Sequence, residues 1–113
     1  MRLFHNPGCS KSRAALSLLQ ERGITPEIVN YLERPPSADE LRTVLGMLGL
    51  PPRGLLRISE PKYANLGLAD ASLDDTSLLE AMVTNPELIE RPIFVHDGRA
   101  VIGRPPERVL DLL

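Results

Sequence analysis

One residue in this sequence has a side chain that can serve as a soft nucleophile, the single cysteine, Cys9. It follows the turn-forming run Asn6-Pro7-Gly8 and precedes a stretch from Ser10 to Arg22 whose Ala14, Ala15, Leu16, Leu18 and Leu19 line one side of a helix, with Gly23 as its stop. A thiol at the start of a helix faces unpaired backbone N–H groups and the positive end of the helix dipole. Both stabilise thiolate over thiol. His5, Lys11, Ser12 and Arg13 make the neighbourhood polar and mostly cationic, which pushes the same way. A lone cysteine in an ordinary setting is a small buried hydrophobe; this setting predicts an activated nucleophile.

Ser12 lies three positions after Cys9, on the same helix face, where the second thiol of a Cys-x-x-Cys pair would stand. A serine cannot resolve a disulfide, so any redox cycle must take its second thiol from another molecule. Ser12 is then a first-turn cap, a surface hydroxyl or a hydrogen-bond donor that helps hold the thiolate. His5 is either a polar strand end or a group that lowers the thiol pKa, and Arg13 reads as a solvated helix residue. With one cysteine there is no intramolecular disulfide and no second thiolate for a metal, and no bound metal or cofactor is expected.

The elements that must position these residues can be read along the chain. Arg2 to His5 is a strand, and Ile24 to Tyr31, broken by Pro26, a second one. After Pro35-Pro36, Ser37 caps a helix, Glu40 completes a capping box, Leu41, Val44, Leu45 and Leu48 form its apolar stripe, and Gly49 ends it. Pro51 to Leu73 reads as loops and brief helical turns. Asp74 or Asp75 then caps a helix through Val83 that buries Leu78, Leu79 and Met82, stopped by Asn85-Pro86. Pro92–Val95 and Arg99–Gly103 flank His96-Asp97-Gly98, a hairpin signal. A closing helix after Pro105-Pro106 puts Val109, Leu110 and Leu113 on one side. The order βαβ, helices, β-hairpin, helix predicts an α/β chain with a small mixed sheet flanked by helices, thioredoxin-like, with a helical insertion between its two halves. The 113 residues leave room for one such domain, 1–113.

Composition narrows the partners. Thirteen basic against fifteen acidic residues give a net charge of −2, so no positive field draws the chain to nucleic acid or anionic lipid. The longest stretch without polar side chains, Val44 to Leu50, falls far short of the roughly 18 residues of a membrane span. The first residues turn polar after Leu3-Phe4 and lack the apolar core of a secretory signal, which predicts the cytoplasm.

His5-Asn6-Pro7-Gly8-Cys9 with Ser12-Arg13 resembles the arsenate reductases of the glutathione- and glutaredoxin-coupled, thioredoxin-fold family. Tyr31-Leu32-Glu33 with Pro35-Pro36, Leu55-Leu56-Arg57, Asn85-Pro86 to Ile89, Arg91-Pro92-Ile93 and Arg104-Pro105 to Leu113 continue the likeness in the family's order across nearly the whole chain. Ser10-Lys11 depart from it, standing where better-known members carry a small residue and a threonine. The resemblance implies that Cys9 attacks arsenate, that Arg57, Arg91 and Arg104 hold the oxyanion, and that glutathione as co-substrate and then glutaredoxin complete reduction to arsenite. It also implies a cis bond before Pro92, facing the cysteine, with His5 and Ser12 in support. Guanidinium groups suit that task, because they grip a tetrahedral oxyanion through paired hydrogen bonds. Two alternatives accompany this reading: a glutathione-dependent thiol reductase of another substrate, and a non-catalytic transcription-associated adaptor of the same fold. An adaptor has no use for arginines gathered around a thiol.

Overall fold

Asn6-Pro7-Gly8 ends the first strand, β1 (Arg2–His5), and starts helix α1 (Ser10–Glu21) in a computed structural model that describes residues 1–113. Strand β2 (Glu27–Asn30) runs parallel to β1, pairing Arg2 with Glu27 through His5 with Asn30, and a parallel pair requires a crossover such as α1. Strands β3 (Ile93–His96) and β4 (Arg99–Ile102) form the expected hairpin; β3 lies antiparallel to β1, giving the order β2-β1-β3-β4. Asp97 and Gly98 take φ of 54° and 74°, the left-handed values that a tight hairpin turn demands and that glycine adopts without a Cβ penalty.

These elements form one of two compact units, Met1–Arg34 together with Arg91–Leu113. Its core joins Leu3, Ala15, Leu19, Phe94, Val101, Val109 and Leu112, with Leu16, Ile24 and Leu110 packed against it. Complete burial of one such leucine is worth about 1.5–3 kcal/mol, so this cluster anchors α1 to the sheet and fixes where the helix begins. At the other end of α1 the Gly23 N–H bonds the Gln20 carbonyl and the Ile24 N–H bonds that of Leu19. This paired closure uses Ile24 as the apolar plug of the helix end. It explains why β2 is shorter than the expected Ile24–Tyr31, since Ile24 belongs to the cap and Pro26 cannot donate to a ladder.

The chain's last element also differs from expectation. Pro106–Leu112 is a 3-10 helix in which Val109 and Leu112 are buried and Leu113 is exposed. Three residues per turn stack i and i+3, so the inward pair is Val109 with Leu112 rather than Val109 with Leu113.

The second unit spans Pro35–Glu90. Helix α2 (Ala38–Leu48) starts as predicted, with the Ser37 hydroxyl accepting the Glu40 N–H at 3.1 Å, and ends at Gly49 with φ of 69°. Helix α4 (Asp75–Thr84) is capped by Asp74, which accepts the Ser77 N–H at 2.8 Å, and it packs on α2. Between them come a 3-10 turn, Pro52–Leu55, and a short α3, Pro61–Asn65. A second 3-10 turn, Pro86–Leu88, follows α4, and an isolated bridge pairs Leu56 with Ile89. No helix is long and apolar enough to cross a membrane.

Candidate active site

Cys9 is the N-cap residue of α1, in extended conformation and partly buried. Its own N–H bonds the Asn6 carbonyl at 3.0 Å and its carbonyl receives the Arg13 N–H at 3.0 Å, so the cysteine is fixed by backbone on both sides. Partial burial pushes the thiol up. The N–H of Ser12, the Arg91 side chain, the N–H of Lys11 and the Arg91 charge outweigh that burial, and the thiol ends below its ordinary value. The helix start therefore favours thiolate by the route the sequence suggested, with Arg91 reinforcing it.

Arg91 is buried, and Arg104 leans on it: the Arg104 Nε donates to the Arg91 carbonyl at 2.8 Å, and the Arg104 Nη2 lies 3.9 Å from Cys9 Sγ. A guanidinium anchored through Nε presents its Nη groups in a fixed plane. Both arginines precede cis prolines, Pro92 as expected and Pro105 as well. Pro92 is itself fully buried, and the Gly103 N–H bonds its carbonyl at 2.9 Å. A Cβ on Gly103 would sit 2.8 Å from Pro92 Cγ. Glycine at 103 thus lets the segment carrying Arg104 lie against the segment carrying Arg91, a tertiary contact with no local signature.

His5, the polar end of β1, and Ser12 are both buried, and their side chains meet each other. The Ser12 hydroxyl is 2.6 Å from His5 Nδ1 and accepts the Asn6 N–H at 3.1 Å, so it is no surface hydroxyl; it is the backbone N–H of Ser12 that bears on the sulfur. His5 bonds Ser12 rather than Cys9, and burial, with the nearby Arg13 charge, lowers its pKa. Asn6, which the sequence marks only as part of a turn-forming run, organises the loop by also accepting the Gly8 N–H on Oδ1 at 2.9 Å. An asparagine before Pro-Gly is a known turn former, and that was the available signal. Arg13 is exposed, with Nη1 on the Pro7 carbonyl at 2.9 Å.

The structure thus gathers Cys9, Arg91, Arg104, His5, Ser12 and Pro92 in the sheet unit. Arg57 belongs to the helical unit, where its N–H bonds the Leu88 carbonyl at 2.7 Å and its Nη1 pairs with Glu60 at 3.3 Å. Nowhere do three His, Cys, Asp or Glu side chains group to hold a metal ion. A thiolate beside two oriented guanidiniums is suited to attack an oxyanion, because the cations offset the charge repulsion between nucleophile and substrate.

Comparison with known proteins agrees with this chemistry. The ArsC family model matches residues 4–112. An arsenate reductase of Neisseria meningitidis is 49% identical over 96% of this chain and 94% of its own. The uncharacterized protein YfgD of Escherichia coli K12 is 52% identical over 100% of this chain and 96% of its own. Among solved structures, an arsenate reductase from Vibrio cholerae superposes with a TM-score of 0.97 at 47% identity, covering 100% of this chain and 98% of that one.

Proposed function

This chain belongs to the ArsC family, and from that premise we propose that it is an arsenate reductase that works through Cys9 with external thiols. The observation that carries the reading is the approach of the Arg104 guanidinium, 3.9 Å from Cys9 Sγ, with the buried Arg91 whose carbonyl anchors it also lowering the thiol's pKa. The Cys9 thiolate forms a bond to As(V), and an arsenate oxygen leaves as water after taking up protons. Arg91 and Arg104 hold the remaining oxygens, and charge-assisted hydrogen bonds of this kind contribute roughly 1.5–3 kcal/mol each.

Glutathione then attacks the adduct, and glutaredoxin supplies the second thiol that clears the mixed disulfide. Arsenic gains two electrons and becomes arsenite, while two donor thiols are oxidised to one disulfide. Support for an external donor is the absence of a second cysteine. Arg57 enters the proposal through the family resemblance alone, and an oxyanion would have to compete with Glu60 for it.

The test is arsenate-dependent NADPH oxidation with glutathione, glutaredoxin and glutathione reductase. Turnover that requires arsenate, glutathione and glutaredoxin is expected. No turnover with any thiol donor contradicts the reductase reading, and equal rates with thioredoxin alone contradict the glutathione route.

A further inference from the structure

The exposed residues beside the thiol carry little side-chain chemistry, with one exception. Pro7, Gly8, Ser10 and Lys11 are exposed on either side of the partly buried Cys9, and of these only Lys11 is charged. Its backbone N–H bears on the Cys9 sulfur, which fixes the residue in the first turn of α1 while its side chain is left in solvent. The Lys11 ammonium meets no carboxylate and no other acceptor. The chain's other lysine, Lys62, is taken up by Glu87 and by Asn85 Oδ1 at 3.1 Å.

The wider charge distribution points the same way. The sheet unit has nine basic and six acidic residues, a formal charge of +3, and the helical unit four and nine, a formal charge of −5. In the proposed cycle Arg91 and Arg104 are engaged on the oxygens of the adduct, and the thiol donor arrives as a second anion. Glutathione carries two carboxylates and one ammonium, a net charge of about −1 at neutral pH. Like charges slow such an encounter unless a further cation faces the newcomer. Arg13 is the next cation along α1, and its Nη1 is tied to the Pro7 carbonyl at 2.9 Å. Lys11 is free, and a flexible ammonium with three donors suits a single carboxylate arriving from water, where guanidiniums suit the paired grip on an oxyanion.

We propose that Lys11 is the docking cation for the external thiol donor, taking a carboxylate of glutathione beside Cys9, so that the site selects anionic thiols over neutral ones. Lys11 touches the donor and leaves the oxyanion to the arginines. The departure at Ser10-Lys11 then has a chemical consequence: where better-known members of the family carry a threonine, this chain carries a charge. The inference rests on the reading in which an external thiol reacts at Cys9. Disulfide exchange measures that encounter without arsenate, so donor docking and arsenate reduction fail separately.

The experiment starts from the full chain with Cys9, its one cysteine, converted to the mixed disulfide with 2-thiopyridine. Release of pyridine-2-thione is followed with glutathione and with glutathione diethyl ester, whose carboxylates are masked. In each case the donor thiolate bonds the Cys9 sulfur as the bond to the pyridine sulfur breaks, and pyridine-2-thione leaves with that electron pair and takes up a proton. The ratio of the two rates cancels any change in the reactivity of Cys9 itself. In Lys11→Met the ratio of glutathione to diester should fall roughly fivefold, the worth of an exposed ion pair, and in Lys11→Glu it should fall further. Lys11→Thr should match Lys11→Met, and added salt should narrow the wild-type ratio. Arg22→Ala removes an equal charge at the far end of α1, roughly 16 Å away along the helix, and should keep the wild-type ratio. An unchanged ratio in Lys11→Met and Lys11→Glu overturns the proposal. An equal fall in Arg22→Ala overturns it too, by assigning the preference to the net charge of the unit. A wild-type ratio in Lys11→Met together with slower glutaredoxin-coupled turnover also overturns it, since Lys11 would then serve a protein surface.

Discussion

The two units use charge in opposite ways. In the helical unit three basic side chains meet carboxylates close by, Arg42 with Asp39 at 2.9 Å, Arg57 with Glu60 at 3.3 Å, and Lys62 with Glu87, while Arg53 spends its guanidinium on the Leu68 and Asp70 carbonyls at 2.8 and 2.9 Å, with no thiol beside it. In the sheet unit Arg104 is anchored on a neutral carbonyl and turned toward a sulfur, while the buried Arg91 helps hold that same thiol below its ordinary pKa. An exposed pair such as Arg42–Asp39 contributes about 0–1 kcal/mol and is exchangeable. A guanidinium oriented by backbone beside the thiol keeps its charge available to a ligand there, and the proposed chemistry accordingly draws on the sheet unit, with packing as the measurable work of α2 and α4.

Substitutions can break that contrast. The largest effect falls on Cys9→Ser, which should keep the fold, since the two residues are near-isosteric, and bring arsenate reduction below about a tenth of wild type. Activity above that level under saturating glutathione and glutaredoxin would remove Cys9 from the mechanism. Next comes Gly103→Ala, whose Cβ would press on Pro92 at 2.8 Å. Overpacking of this kind costs about 1–3 kcal/mol, so the denaturation midpoint should fall and arsenate KM should rise as the Arg91 and Arg104 segments separate. A midpoint equal to wild type would show that the two segments have slack.

Ser37→Ala sharpens the contrast from the other side. Loss of this helix cap costs about 1 kcal/mol and should lower the melting temperature while the pH profile of Cys9 alkylation is unchanged. A shifted thiol profile would mean that the helical unit controls the site.

The smallest effect is a pH dependence of stability. His5 has a lowered pKa in the folded chain, so below its ordinary value of 6.5 the unfolded chain binds more protons than the folded one. Stability contributed by the neutral ring is therefore present above pH 6.5 and is lost as pH falls toward the folded value. The Cys9 thiol, also lowered, works with the same sign in a higher window: its contribution is present above the ordinary thiol value and lost as pH falls through the folded one. Urea midpoints of wild type and His5→Asn across these windows check the histidine term, and identical slopes would refute it.

Much of this was legible in the sequence because local chemistry decided it. Ser37 and Asp74 are caps, Asp97-Gly98 is a hairpin turn, and Cys9 after Pro7-Gly8 is a helix start; each of these is set within a few residues. What the sequence hid depends on tertiary contact or on a choice between near-equal local states. The Arg104 anchor on the Arg91 carbonyl joins residues thirteen positions apart, and the space beside Gly103 exists only once Pro92 and Val109 are packed. The Ser12 hydroxyl could have turned to solvent, to the thiolate or to His5, and only burial beside β1 selects the last. The 3-10 form of the final helix changed its inward residues without changing the pattern of letters that suggested a helix.

The central claim is that arginines of the sheet unit hold an oxyanion against Cys9, and kcat/KM for arsenate in alanine variants tests it most directly. Arg91→Ala and Arg104→Ala should each lose about ten- to a hundredfold, corresponding to 1.5–3 kcal/mol. Arg91→Lys should stay low, because an ammonium cannot supply the paired planar contact. Arg57→Ala measures the third arginine of the family pattern in the same assay. Arg99→Ala and Arg108→Ala, outside that pattern, should remain within about twofold of wild type, as for ordinary surface changes. Losses at Arg91 and Arg104 no greater than those at Arg99 and Arg108 would contradict the account.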